Sequence, residues 1–502
     1  MGNEAGKHVF ISYVREDSDR VSDLCRVLEA AQIPYWRDRD NLGPGDAWKI
    51  KIKEAIRDGA LVFLACFSDN SRSKTKNYMN EELSLAVEEF RRMAPGSTWM
   101  IPVRFDEGDV PEWDLGAGRT LRDYNYADLF GEQYTANAVS LATKINGLLG
   151  EDRPDAATAL AAVHQAKAAD RPEVLKRLTK DMLLDPTRRI ELHDLVTQEV
   201  QTVLTVLKDD NRVEQPLGTT PEESTVRLVQ EAQDLWAVSA PFCASLQVAS
   251  QWGDPETLKP WISGVRSFIS AAKRPVAGKQ ALIELLHLPG LVSVMTAALA
   301  CVSSGQWANL NALVVTASVR DRAGQNPLPV VEATDLYRPF KRVSDQVTDI
   351  LARATIEGRA VIDVWKDAEQ GKGRYHTPSA EWLHHVLRPL FSDQLPDDDT
   401  YDAEFDRAEV VLGALAEDQR LRRAAVNPQQ RSWSRSHWYG RATWRANSYE
   451  GNAVDDLLRE LDVAGAHWGP LGGGMFGGDE DRARAALEHY QATFTQIARQ
   501  RH

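Results

Sequence analysis

The sequence predicts a parallel α/β sheet over residues 1–150, followed by a large, mainly α-helical region read as two domains, 151–330 and 331–502. Three observations carry this. Short apolar runs alternate with amphipathic segments through the first 150 residues, the pattern of strands each followed by a helix. One run, ALVFLACF at 60–67, holds no polar residue, as expected of a central parallel strand covered on both faces. After the polar linker GEDRPD at 150–155 the pattern becomes helical.

The elements follow in order. His8 to Val14 is a β-rich run, and Asp17 or Ser18 offers a helix N-cap. Val21, Leu24, Cys25 and Leu28 give the next helix one apolar face. Ile33 to Trp36 is a second short strand. The loop from Asp38 to Asp46 carries Gly43-Pro44-Gly45, a tight surface turn. Trp48, Ile52, Ala55 and Ile56 mark another helix. After the 60–67 strand a polar loop leads into a helix from Tyr78. Trp99 to Phe105 is a fourth strand, 119–124 is expected as a fifth, and 136–149 closes with a helix.

The helix from Tyr78 holds two adjacent carboxylates, Glu81 and Glu82. Its apolar stripe is Leu83, Ala86, Val87 and Phe90, at i, i+3, i+4 and i+7. At ~100° per residue, Glu82 sits on the edge of that stripe and Glu81 nearly opposite. Tyr78 lies one turn before Glu82 on the same face. Parallel sheets bind ligands beyond the carboxyl ends of their strands. Here those ends are Ser12 to Arg15, the Asp38–Asp46 loop and Ser68 to Glu82, which converge if the strand order is flavodoxin-like.

Residues 7–149 resemble a Toll/interleukin-1 receptor (TIR) domain. The matching pieces are Val9-Phe-Ile-Ser-Tyr13 with Asp17, Trp36-Arg-Asp38, Leu42-Gly-Pro-Gly45 with Trp48, and Ser73 followed by Tyr78-Met-Asn-Glu-Glu-Leu83. Asp123-Tyr124 resembles the final strand, and 71–76 stretches the loop before the helix. Some TIR domains are assembly scaffolds; others cleave the nicotinamide–ribose bond of NAD+, sometimes cyclising the product. In the enzymatic class a glutamate stands four residues after an aromatic at the start of this helix. That correspondence selects Glu82 after Tyr78.

The chemistry the resemblance implies needs a carboxylate that stabilises an oxocarbenium-like ribose. Glu82 is the candidate catalytic residue. Trp48 and Tyr78 are candidate aromatic walls for nicotinamide or adenine. Arg15 could meet a pyrophosphate, and Asp38 could cap its loop or contact ribose. Phe10 and Ser12 complete the binding set, although each also reads as plain strand structure. NAD+ enters as substrate, and no cofactor is expected. The 38–46 loop resembles the TIR loop that mediates head-to-tail contacts, so self-association is implied.

The composition, 43% hydrophobic and 26% charged, is globular. A net charge of −14 argues against a mainly electrostatic nucleic-acid binder. Four scattered cysteines with no CxxC or HxxxH spacing argue against structural zinc and for a reduced, cytoplasmic setting. No signal core is visible at the start. The most apolar run, 288–302, contains Pro289 and Gly290 and reads as a buried core helix, too short to span a bilayer.

Beyond residue 155 the sequence predicts a succession of helices, among them 221–237 and 335–356, with no strand ladder and no fixed repeat. Residues 431–445, RSWSRSHWYGRATWR, pack four arginines and four aromatics together. They read either as a surface for phosphates and bases or as a core-edge loop whose arginines pair with Asp397-Asp-Asp399. The glycine-rich 468–478 stretch reads as a flexible surface loop. The whole arrangement resembles bacterial anti-phage effectors, in which a sensor region binds a trigger and assembles the TIR. Three readings result: an NAD+-consuming effector, a non-enzymatic scaffold, and a synthase of cyclic ADP-ribose.

Overall fold

The computed structural model describes residues 8–30, 33–37, 52, 55–56, 60–74, 78–93, 99–116, 118–131, 134–149, 171–320, 327–426, 437–446 and 452–500. The chain divides into two compact units, Met1–Leu178 and Thr179–His502. Elements on both sides of residue 330 fall within the second unit.

The first unit contains β1 (His8–Ser12), α1 (Ser18–Ala30), β2 (Tyr35–Trp36), β3 (Ala60–Phe67), α2 (Asp69–Arg72), α3 (Tyr78–Phe90), β4 (Met100–Arg104), β5 (Asp114–Gly116), β6 (Arg119–Thr120), β7 (Ala127–Asp128) and α4 (Tyr134–Leu149). Five strands form one sheet in the order β2-β1-β3-β4-β7. All its pairings are parallel. This is the flavodoxin-like sheet the alternation predicts.

Both faces are covered, and strand alternation decides which residue meets which helix. Val9, Ile11, Val62, Leu64 and Cys66 pack on the face of α1 and α4. Phe10, Phe63, Ala65 and Phe67 pack on the other face, against Met79, Leu83, Ala86, Val87 and Phe90 of α3. The expected stripe of α3 is therefore the buried one. Ser12, two residues after Phe10, lies on this same α3 face.

The fifth strand differs from expectation. Residues 119–120 form β6, which pairs antiparallel with β5 outside the main sheet. A 3-10 turn over Leu121–Asp123 follows. Asp123 accepts from the Thr120 amide (2.7 Å) and hydroxyl (3.1 Å), closing the turn before a strand can continue. The fifth sheet strand is β7, next to β4, where Arg104 pairs with Asp128 at 2.6 Å.

The second unit is mostly helical. The longest helix among its described residues, α5 (Pro221–Trp252), starts with a reciprocal capping box between Thr220 and Glu223. The sequence pattern ends this helix near Ala237, but it runs through Pro241 to Trp252. Proline removes one backbone hydrogen bond, yet residues 239–250 are all buried, and that burial holds the helix together. It packs on α7 (Leu288–Ser304), whose residues 288–302 are all buried. The stretch Gln280–Ser304 is apolar enough to cross a membrane by length and composition, and it lies inside the unit. Between these helices in sequence comes α6 (Lys259–Ala272). Farther on, α8 (Asp398–Val426) packs against α10 (Glu480–Gln500). Gly413 makes that approach close, because a Cβ there would collide with the Tyr490 ring.

One two-stranded antiparallel pair, Ser318–Arg320 with Pro327–Pro329, interrupts the helices and departs from the strand-free expectation. The expected helix over 335–356 is shorter, Asp345–Ile356, preceded by a 3-10 turn at Arg338–Phe340 that contains Pro339. The glycine-rich stretch is also packed rather than loose. Met475 and Phe476 are buried, and Trp468 stacks on Phe476 at 6.1 Å. A Cβ at Gly469 or Gly473 would run into Trp307. These glycines thus admit a tryptophan rather than confer mobility.

Candidate functional site

The site at the carboxyl end of the sheet is assembled from β1, β3 and α3. Ser12 closes β1 and is fully buried. Its hydroxyl donates to Glu82 Oε2 at 2.6 Å, a bond between residues 70 apart in sequence. Glu82 is 8 % exposed, whereas its neighbour Glu81 is exposed. The helical face that separates the two carboxylates on paper separates them in space. A buried carboxylate needs donors to offset its lost hydration, and Ser12 is one of them.

A second buried carboxylate lies just past the end of β1. Asp17 follows β1 in the turn Arg15–Asp17. It accepts from the Ser68 hydroxyl and, at 2.8 Å, from Asn70 Nδ2. Ser68 caps α2, exchanging bonds with Ser71: Ser68 N donates to Ser71 Oγ (2.8 Å) and Ser71 N to Ser68 Oγ (3.2 Å). The sequence offers Asp17 as a helix cap, but its carboxylate instead ties the loop after β1 to the loop after β3. The signal was present in SDNS at 68–71, a run of short hydrogen-bonding residues at a strand end.

Other loop contacts are charged. Lys74 pairs with Glu16 at 2.5 Å. Asp106 accepts from the Asp69 amide at 2.6 Å and pairs with Arg72. Burial pushes the Asp106 carboxyl up, but the Asp69 amide and the Arg72 guanidinium outweigh this and hold it below its ordinary value.

The remaining candidates divide. Tyr78 opens α3 and is 62 % exposed. Arg15 is exposed and has no ion-pair partner among the described residues. Phe10 belongs to the core cluster on the α3 face of the sheet. Its ring is fully buried, stacked between Trp36 (4.7 Å) and Phe63 (5.3 Å), so it is core. Asp38, Trp48 and the 38–46 loop lie outside the described residues. Among the described residues no group of three or more His, Cys, Asp or Glu could hold a metal ion. The four cysteines are buried thiols outside any disulfide, and burial raises the Cys66 thiol well above its ordinary value.

Residues 9–142 match the family model of the TIR domain. Residues 9–142 are a TIR domain. No curated protein matches the chain. In the TIR domain, then, Glu82 is the buried carboxylate of α3, held from β1 by Ser12.

The arginine- and aromatic-rich patch belongs to the second unit, where residues 437–445 are described. Trp438 is fully buried and donates to the Val331 carbonyl at 3.1 Å. The backbone amides of Gly440 (2.5 Å) and Arg441 (2.9 Å) donate to buried Glu409, which anchors α9 (Arg441–Arg445). Arg441 donates to Asp402 at 2.9 Å and Glu381 at 3.3 Å. Arg445 donates to Asp406 at 2.9 Å and Asp402 at 3.0 Å. Trp444 donates to Glu381 at 2.7 Å. The core-edge reading therefore holds for these residues, with different partners: Asp397 accepts instead from Thr400, and Asp398 from Arg388. Burial lifts the Asp406 carboxyl to about 6 despite both arginines.

Proposed function

We propose that the TIR domain cleaves NAD+ to nicotinamide and ADP-ribose, with Glu82 as the catalytic carboxylate. The observation that supports this most is the Glu82 carboxylate itself. It is buried at the strand ends, oriented by the Ser12 hydroxyl, on the face of α3 that also begins with Tyr78.

The chemistry asks little of a general acid. The C1′–N bond breaks and its electron pair passes to the pyridinium nitrogen, so nicotinamide leaves neutral. Positive charge develops at C1′ and the ring oxygen. A fixed carboxylate stabilises that charge in a site of low dielectric constant. Water then attacks C1′ and releases a proton, giving ADP-ribose; attack by an adenine nitrogen instead gives the cyclic product. The Ser12 hydroxyl holds one oxygen of the carboxylate, which reduces the reorganisation needed at the moment of reaction.

In this reading self-association of TIR domains switches the activity on, the helical unit receives the trigger, and NAD+ depletion in the cytoplasm halts a phage-infected cell. The test is nicotinamide release from NAD+ by concentrated, crowded full-length protein, compared among wild type, Glu82→Ala and Glu81→Ala. Glu82→Ala is expected to lose about 100-fold or more and Glu81→Ala little. Equal rates in wild type and Glu82→Ala overturn the mechanism. A wild type that self-associates without releasing nicotinamide is instead a scaffold. Chromatography of the products separates linear from cyclic ADP-ribose.

A further inference from the structure

One groove of the second unit is lined almost wholly by cationic and hydroxyl side chains. It has a volume of about 520 Å³ and lies between α6 and the strand Ser318–Arg320. Four cationic residues line it: Arg266, Lys273, Arg274 and Arg320. Ser263, Ser267 and Ser270 line it too, spaced i, i+4 and i+7 along one face of the helix. Among the described residues no carboxylate and no aromatic side chain lines it. In a chain of net charge −14 this is a local reversal of sign.

The donors are only partly used. Arg266 gives its Nε to the Ser318 carbonyl at 2.8 Å, which fixes the guanidinium at the groove. Arg266 and Arg320 are exposed and have no carboxylate partner among the described residues. Ser263 and Ser267 have no hydrogen-bond partner among the described residues, while Ser270 donates to the Arg266 carbonyl at 2.7 Å. Arg274 is anchored by Asp210 (2.5 Å) and the Leu207 carbonyl (3.2 Å), and its buried Nε has no hydrogen-bond partner.

We propose that this groove binds a compact polyphosphorylated small molecule. Guanidinium and ammonium groups supply donors only, the serine hydroxyls can turn their O–H towards an acceptor, and phosphate oxygens supply acceptors, with arginine forks matching phosphate geometry. The lack of an aromatic lining removes the stacking platform that a base-reading or single-strand site needs. Recognition is therefore of the phosphate chain. The chain's net charge of −14 disfavours a long polyanion that would run beyond the groove. This site stands independently of NAD+ cleavage, because it lies in the second unit and is tested by binding alone.

The test is titration calorimetry of the full-length protein with inorganic tripolyphosphate, ATP and adenosine, at low and high salt. Tripolyphosphate and ATP are expected to bind, more weakly as salt rises, and adenosine to give no heat. Comparable affinities for the first two assign recognition to the phosphate chain, and a much tighter ATP identifies a nucleotide as the source. Arg320→Glu, whose side chain has no partner to lose among the described residues, is expected to weaken binding about 10-fold, or ~1.4 kcal/mol. Arg266→Glu is expected to do the same, with far-UV dichroism checking the fold. No heat from tripolyphosphate or ATP at millimolar concentration overturns the proposal. So does unchanged binding in Arg320→Glu, or adenosine binding as tightly as ATP.

Discussion

The Ser12 hydroxyl donates to Glu82 Oε2 at 2.6 Å, joining the end of the first strand to the face of a helix 70 residues later. Position 12 is on that face because β1 alternates: Phe10 and Ser12 point towards α3, Val9 and Ile11 away. The bond makes a small residue answerable for the setting of a buried acid.

Ser12→Ala is expected to lower unfolding stability by about 1–3 kcal/mol, because a buried carboxylate oxygen loses a donor. If Glu82 cleaves NAD+, the same change lowers kcat roughly 10- to 100-fold through misplacement of the carboxylate. Urea unfolding and nicotinamide release measure the two effects.

Phe10 and Tyr78 are expected to separate cleanly. Phe10→Ala empties the stack between Trp36 and Phe63 and costs about 3–5 kcal/mol of stability. Tyr78→Ala removes an exposed ring and stays within about 0.5 kcal/mol of wild type. A raised KM for NAD+ in Tyr78→Ala is the readout of a substrate contact.

Arg441→Met strips Glu381 and Asp402 of a shared buried partner. Removing one member of a buried ion network costs about 3–5 kcal/mol. Chemical denaturation of the full chain is expected to register this loss, and a change under 1 kcal/mol would show that the network is dispensable.

His384 gives a pH dependence of known sign. Burial, then repulsion from Arg441, lowers its pKa from 6.5 to about 4, although Asp402 lies 2.7 Å away. Between those values the unfolded chain holds the proton and the folded chain does not, so stability falls as pH drops from 6.5 towards 4. His384→Gln, which cannot titrate, is expected to show a shallower fall across this window in thermal melts.

Much of the first unit was legible because its signals are local. The 60–67 run announced a central strand, and a helical wheel separated Glu82 from Glu81. The wheel gives an angle but not a depth, so it could not tell that Tyr78, on the same face, stands in solvent. Phe10 was ambiguous because a strand covered on both faces is apolar on both sides. The Ser12–Glu82 and Asp17–Ser68 bonds join residues 70 and 51 apart, beyond any periodicity. In the second unit, the end of the 221–237 helix and the glycines at 469–478 were read from local pattern alone. Tertiary packing overrode them: buried neighbours carry the helix past the proline, and Trp307 occupies the space the glycines leave.

The main sheet also ends abruptly on both sides. Its outermost strands, Tyr35–Trp36 and Ala127–Asp128, are two residues long. A long open border would offer a row of unpaired amides and carbonyls to any passing chain. Here each border offers room for little more than one rung. Among the described residues, then, the sheet borders disfavour growth by strand addition, which leaves helix faces and loops as the larger surfaces for a second copy.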